Sequence, residues 1–208
     1  MILYIAHRIN TIEKLQSIPE NVGIEIDIRS SSKQLILSHE PFYDSAERLD
    51  DFMKLVGKRF LIANIKSERI EPIFLESYKK IINKDNYFFL DSSFNVINTY
   101  SKNNNYSFAG RISEIESIET INHLNKKSLI KWIWIDAFGK QPFNKNLAEK
   151  LNNMKIKKCL TSPDLLGRNE EIEYFCKKIL ENGLILDAIC CKFENIKIWK
   201  KYFKKYTI

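Results

Sequence analysis

Val22-Gly23-Ile24-Glu25-Ile26-Asp27-Ile28 is a short apolar run that carries two carboxylates spaced i, i+2. On a strand that spacing sends both side chains to the same face. The neighbouring runs also end in reactive groups. Ile2-Leu3-Tyr4-Ile5-Ala6 leads into His7-Arg8, and Leu35-Ile36-Leu37-Ser38 leads into His39. The chain holds only three histidines, and two of them fall in this constellation within the first 39 residues.

Outward from this stretch, β-rich runs recur along the whole chain: Ile2 to Ala6, Val22 to Ile28, Phe60 to Ile65, Tyr87 to Leu90, Tyr106 to Ala109, Trp132 to Ile135, Ile156 to Thr161 and Leu184 to Cys191. Segments of helical period lie between most of them: Glu47 to Val56, Glu71 to Ile82, Ser113 to Leu124, Asn144 to Met154 and Asn169 to Glu181, with Phe193 to Tyr206 after the last run. Strand and helix in alternation predict a parallel sheet with right-handed crossovers. Eight repeats in a chain of this length fit a single α/β domain over residues 1–208, a (β/α)8 TIM-type barrel. No GxGxxG or P-loop pattern supports an open doubly wound sheet. The extra run Gln34 to Ser38 lies too close to Ile28 to pair in parallel, so Ser30-Ser31-Ser32-Lys33 reads as a turn and His39 as the tip of a short excursion over the barrel mouth. The strand ends, in order, carry His7 and Arg8, Glu25 and Asp27, Asn64 and Lys66, Asp91, Arg111, Asp136, Ser162 with Asp164, and Lys192. Barrel active sites occupy this C-terminal face, and a ring of such groups is the expected signature.

At 208 residues and 24.6 kDa the chain is long enough for one well-buried core, and nothing in it reads as an interdomain linker. Hydrophobic content of 44% with 28% charged residues is that of a globular domain. The opening apolar run meets His7-Arg8 after six residues, too early for a signal-peptide core or a membrane span. Cys159, Cys176, Cys190 and Cys191 show no CxxC spacing and read as reduced core thiols of a cytoplasmic protein. The net charge of +7 is spread along the chain, which does not point to nucleic acid. The one concentrated patch, Lys197 to Lys205, reads as a helix that packs its aromatics on the body and at most touches anionic lipid, without stable membrane insertion.

Phosphodiester cleavage needs a base, an acid and compensation of phosphate charge. His7 and His39 are the acid–base candidates, because an imidazole titrates near working pH. Glu25 and Asp27 supply hard oxygen ligands on one strand face, suited to Mg²⁺ or Ca²⁺. Arg8 and Lys66 have the chemistry to hold the same phosphate.

The series Ala6-His7-Arg8, Gly23-Ile24-Glu25-Ile26-Asp27-Ile28, Leu35-Ile36-Leu37-Ser38-His39-Glu40-Pro41 and Asn64-Ile65-Lys66 resembles the motifs of the glycerophosphodiester phosphodiesterase and phosphatidylinositol phospholipase C-like barrels. In particular it resembles short members found with bacterial surface-polysaccharide genes. The motif match covers roughly the first third of the chain. The resemblance implies a phosphodiester hydrolase in which His7 and His39 are the acid–base pair, Glu25 and Asp27 bind the metal, and Arg8 and Lys66 bind phosphate. Three departures stand out. Ile9-Asn10 follows His-Arg where the family has Gly, which brings Asn10 to the mouth. Asn64 replaces a third acidic ligand and keeps an amide oxygen without its charge, which predicts weaker Mg²⁺ affinity. Glu40 stands for the usual Asp after the second His.

Ser162 and Arg168, in the cluster Thr161 to Arg168, read either as a second phosphate or sugar site or as a Ser-Pro-Asp turn with a surface arginine. Ser113 reads as a helix cap completed by Glu116, and Arg111 has the better claim on the mouth. Asp136 and Asp91 are either members of the ring or caps of the helices that follow. Lys192 reaches phosphate or closes a salt bridge. His123 reads as structural, and Trp132 and Trp134, on an all-apolar run, as a buried strand. The predicted activity is hydrolysis of a small glycerol- or sugar-linked phosphodiester. The alternatives are a metal-free lyase, a barrel without turnover that binds a phosphorylated sugar, and, more weakly, a sugar-phosphate isomerase.

Overall fold

The computed structural model describes residues 2–32, 34–42, 45–139 and 144–206. Eight parallel strands form a ring: β1 (Leu3–Ala6), β2 (Gly23–Ser31), β5 (Leu61–Ile65), β6 (Tyr87–Leu90), β7 (Ala109–Ile112), β8 (Trp132–Ile135), β9 (Lys157–Thr161) and β10 (Ala188–Cys191). β1 pairs with both β2 and β10, which joins the two ends of the chain. Seven of the eight neighbour contacts are regular ladders. The eighth, between β6 and β7, is a single Phe89–Phe108 bridge with Phe89 N–H donating to Ser107 C=O at 2.7 Å.

The excursion is a hairpin. β2 runs past the barrel and turns at Ser32, whose φ of 54° is left-handed, to pair antiparallel with β3 (Gln34–Leu37). β3 in turn pairs with the two-residue β4 (Glu47–Arg48). Lys33, part of the expected turn, lies outside the described residues.

Period-2 alternation sorts each strand's side chains between two cores. Ile24, Ile26 and Ile28 face outward into the layer shared with the helices. The barrel interior is filled by Ile5, Ile62, Phe88, Trp132, Trp134, Cys159 and Cys190, with Phe60 at its lower end. Gly23 belongs to the inner row. A Cβ there would sit 3.0 Å from the Ile5 side chain and 3.2 Å from Phe60 C=O, so the residue is small because the barrel floor is crowded. Trp132 and Trp134 are 4% exposed, which makes them interior packing as expected.

Outside the ring lie α1 (Ile12–Ser17), α2 (Leu49–Met53), α3 (Glu71–Tyr78), α4 (Phe94–Tyr100), α5 (Ile118–Lys126), α6 (Lys145–Asn153), α7 (Ile172–Glu181) and α8 (Ile196–Tyr206). Several boundaries differ from the sequence reading. The fifth strand is Ala109–Ile112 rather than Tyr106 to Ala109, because Tyr106 and Phe108 join a ring stack with Tyr100 and Phe89 at the β6–β7 seam. The last strand begins at Ala188, four residues later than expected. Leu184 instead closes α7: Gly183 is left-handed at φ 66° and Leu184 N–H reaches back to Ile179 C=O, the wrap that ends a helix at a glycine. Ser113 and Glu116 do bond reciprocally, but in a turn before α5, whose cap is Ser117. Helices α1 and α4, capped by Thr11 and Ser93, were not anticipated.

Candidate active site

The inner rows that fill the barrel continue at its C-terminal end into polar residues. Leu3 and Ile5 lead to His7; Gly23 leads to Glu25 and Asp27; Phe60 and Ile62 lead to Asn64 and Lys66; Trp132 and Trp134 lead to Asp136; Ala188 and Cys190 lead to Lys192. The Asp27–Asn64 register sets those two side by side.

Glu25 and Asp27 are both fully buried. Glu25 accepts from Arg8 N–H at 2.7 Å and from Asn64 Nδ2 at 2.9 Å, and His7 Nε2 lies 3.7 Å from its Oε2. Asn10 grips Asp27 at both ends: its Nδ2 donates to Asp27 Oδ2 at 2.8 Å and its Oδ1 accepts from Asp27 N–H at 2.9 Å. Lys66 Nζ lies 3.7 Å from Asp27 Oδ1 and 3.1 Å from Asp91 Oδ2. Arg111 pairs with Asp91 and approaches Asp136 Oδ2 at 3.7 Å, while Asp136 also accepts from Trp134 Nε1 and Ala137 N–H. Cations and carboxylates therefore alternate around half the mouth. Arg8 and Asp91, both at strand ends, hold left-handed backbones at φ 54° and 61°.

Electrostatics separate the ionisable groups. Burial, then the charges of Arg8, His39, Lys66 and Lys192, push the His7 imidazole down to about 3, so it is a neutral acceptor at physiological pH. Burial and the adjacent Asp27 carboxylate push the Glu25 carboxyl well above its usual range.

The hairpin turns at Ser32, so His39 is not at its tip, as the sequence reading expects; it follows β3 at the barrel end, next to Ser38, whose N–H donates to Asp27 C=O at 3.0 Å, and its Nδ1 lies 2.6 Å from Glu40 Oε1. Arg29 fixes this segment: its guanidinium donates to His39 C=O at 2.8 Å and to Lys66 C=O at 2.9 Å, tying the base of the hairpin to the end of β5. Two cavities meet at Arg8. One, of about 310 Å³, is lined by His39, Asn10, Thr11, Ser38 and Glu47. The other, of about 330 Å³, is lined by His7, Lys14, Ser17, Lys192 and Glu194.

Two expected ligands stand elsewhere. Ser162 is one residue out of phase with the Cys159 row, so it turns outward and its Oγ accepts from Trp199 Nε1 of α8 at 2.8 Å. Arg168 donates to Gly139 C=O and to Glu171, and packs over the Phe175 ring, so it matches the turn-and-partner reading. The Asp164 carboxylate between them accepts from Lys192 N–H and Asn195 Nδ2, which makes this region a carboxylate-centred brace rather than an anion site. Asn10 is occupied by Asp27. The sequence reading missed Arg29, Thr11, Lys14 and Glu47, and also Thr161, which continues the β9 inner row with its buried Oγ1 unbonded. Strand phase was the available signal for Thr161; the others depend on how the hairpin and α1 fold over the rim.

The resemblance implies a hard cation at this mouth. Among the described residues no three His, Cys, Asp or Glu side chains form a metal site. Two buried oxygens nevertheless lack any donor, Asp27 Oδ1 and Asn64 Oδ1, and Glu25 bonds Asn64 through Nδ2, which leaves that Oδ1 free. These two oxygens, on residues paired in the β2–β5 register, fit a hard cation, with the Lys66 ammonium 3.7 Å from the same Asp27 oxygen.

No family model matches the chain, and no curated protein does. Solved structures do. A glycerophosphoryl diester phosphodiesterase from Parabacteroides distasonis superposes with a TM-score of 0.69 at 14% identity, over 98% of this chain and 87% of that one. An Oleispira antarctica phosphodiesterase, in complex with the product sn-glycerol-3-phosphate, gives 0.69 at 14% identity, over 97% and 96%. A glycerophosphodiester phosphodiesterase from Agrobacterium tumefaciens gives 0.64 at 13% identity, over 91% and 96%. With its eight-stranded ring, its hairpin and nearly full-length superposition on all three, this chain has the fold of the glycerophosphodiester phosphodiesterase barrels.

Proposed function

We propose that this protein is a phosphoric diester hydrolase acting on a small glycerol- or sugar-linked phosphodiester. The observation that carries the reading is the placement of Arg8 between two cavities, one lined by His7 and the other by His39. A phosphate held by Arg8 and Lys66 has an imidazole on either side, the arrangement that in-line displacement needs. Neutral His7 takes the proton of the attacking water, beside Glu25. As an imidazolium, His39 donates from Nδ1 to Glu40 Oε1 and delivers its Nε2 proton to the leaving alkoxide, which leaves it neutral. Asn10 and Asn64 hold the two buried carboxylates in place. Glu25, Asp27 and Asn64 are the residues that would hold a divalent cation, which supplies neutralisation of a non-bridging phosphate oxygen. The four free, buried cysteines support a cytoplasmic setting, and no helix among the described residues is long and apolar enough to cross a membrane.

The test is turnover of a chromogenic phosphodiester and of glycerophosphodiesters by wild type, His7→Ala and His39→Ala, with Mg²⁺, Mn²⁺ or Ca²⁺ and with chelator. Each variant is expected to lose roughly 10²–10⁴-fold in rate with an unchanged far-UV spectrum. Full activity in either removes the acid–base assignment. Asn64 favours a second reading, a barrel that binds a phosphorylated sugar without turnover. Thermal stabilisation by ligand with no hydrolysis under any cation would select it, and a cyclic product insensitive to chelator would select a lyase.

A further inference from the structure

The mouth is not symmetric in charge. On the Asp91–Asp136 side every cation has a carboxylate partner. On the His7 side the cavity of about 330 Å³ between α1 and the end of β10 is lined by Arg8, whose Nε lies 4.0 Å from Asp27 Oδ2, and by Lys14 and Lys192, with Glu194 as the single carboxylate among its described lining residues. Neither Lys14 nor Lys192 has an ion-pair partner within 4 Å among the described residues. The Lys192 backbone is anchored, its N–H donating to buried Asp164, so the root of its side chain is fixed at the rim while its ammonium stays uncommitted. Clustered cations repel one another, and a partly enclosed cavity strengthens that repulsion. An anion relieves it. The cavity on the opposite side of Arg8 is different, lined by hydroxyl, amide and carboxylate groups of Thr11, Ser38, Asn10 and Glu47, a set that suits an uncharged polyol.

We infer that the cavity formed by Lys14, Lys192 and Arg8 is a second anion subsite, so that the substrate carries another phosphate or carboxylate on the alcohol lying on the His7 side of the scissile phosphate. This rests on the proposed phosphodiester site at Arg8 and specifies its substrate: a polyanionic diester, with its neutral polyol on the His39 side.

The experiment is isothermal titration of the full chain with sn-glycerol 3-phosphate and with glycerol 1,3-bisphosphate, for wild type, Lys14→Gln, Lys192→Gln and the double variant. Wild type is expected to bind the bisphosphate at least tenfold more tightly than the monophosphate, with the ratio shrinking as salt is raised. Each single variant lowers the ratio, and the double variant brings it within about threefold of unity. A wild-type ratio already near unity, or one that survives the double substitution, overturns the subsite while leaving the phosphodiester site standing. Binding of neither ligand overturns the phosphate site and the subsite with it. The lysines are surface-rooted, and circular dichroism of each variant checks that the comparison is made on folded protein.

Discussion

Asn64 is the residue at which the resemblance and the geometry pull apart. Its Nδ2 neutralises one oxygen of buried Glu25, and its Oδ1 is left open beside Asp27 Oδ1. At alkaline pH, where both carboxyls are ionised, the hydrogen bond in Asn64→Asp becomes a contact between carboxylate oxygens, so without metal the fold loses about 1–3 kcal/mol. The same change adds the third charge a hard cation favours. Thermal denaturation with and without Mg²⁺ reads both effects: a lower midpoint in chelator, and a larger rise on adding Mg²⁺ than in wild type. A variant whose midpoint ignores Mg²⁺ would place the cation elsewhere. His7, Glu25, Asp27, Asn64, Lys66 and Asp136 were legible in the sequence for one physical reason: each extends an inner, period-2 row past the point where apolar filling stops. Of the two readings open for Ser162 the turn is the one the structure favours, since a shift of one residue along the strand moves a side chain from the mouth to the helix layer.

Elements were legible where hydrophobic period was long and obscure where a cap or a single tertiary contact decides. All eight barrel strands occur within or beside the expected runs, yet the six-residue α1 and seven-residue α4 announce themselves only through Thr11 and Ser93. The hairpin was readable from the short spacing between two strand-like runs. Its anchoring was not, because Arg29 bonds backbone carbonyls of His39 and Lys66, and carbonyls carry no sequence signature. Here the fork geometry matters, since one guanidinium bridges two elements and an ammonium reaches one at a time. Arg29→Lys is expected to leave the denaturation midpoint within about 1 kcal/mol of wild type, because the side chain is half-buried and exposed to competing water. On the proposed role of His39 as acid, turnover falls by roughly tenfold or more. Steady-state kinetics should show the loss in kcat rather than KM; an unchanged kcat would mean that the hairpin positions itself without the clamp.

Across the whole molecule, the mouth sets how stability depends on pH, because two buried groups there are shifted in opposite directions. His7 is pushed from 6.5 down to about 3, so between those values the unfolded chain binds a proton that the folded one refuses. The stability this gives is complete above pH 6.5 and drains as pH falls toward 3, on the order of 5 kcal/mol in all. Glu25 is shifted up from 4.5, and buried Glu71 likewise, so above 4.5 the folded chain keeps protons that the unfolded one releases. That contribution is complete below pH 4.5 and is lost as pH rises through the raised value. Between 4.5 and 6.5 the His7 slope cancels that of Glu25 and Glu71 leaves a shallow decline as pH rises; below 4.5 stability falls with falling pH, and above 6.5 it falls with rising pH. Urea denaturation in chelator at pH 3.5, 5 and 8 should therefore give its highest midpoint at 5. His7→Gln removes the titrating imidazole and should flatten the acid side alone. Glu25→Gln should flatten the alkaline side in part, leaving the portion due to Glu71. A wild-type profile that keeps rising from pH 5 to 8 would show that Glu25 is ionised in the folded protein, its charge already met by Arg8 N–H, Asn64 and Lys66.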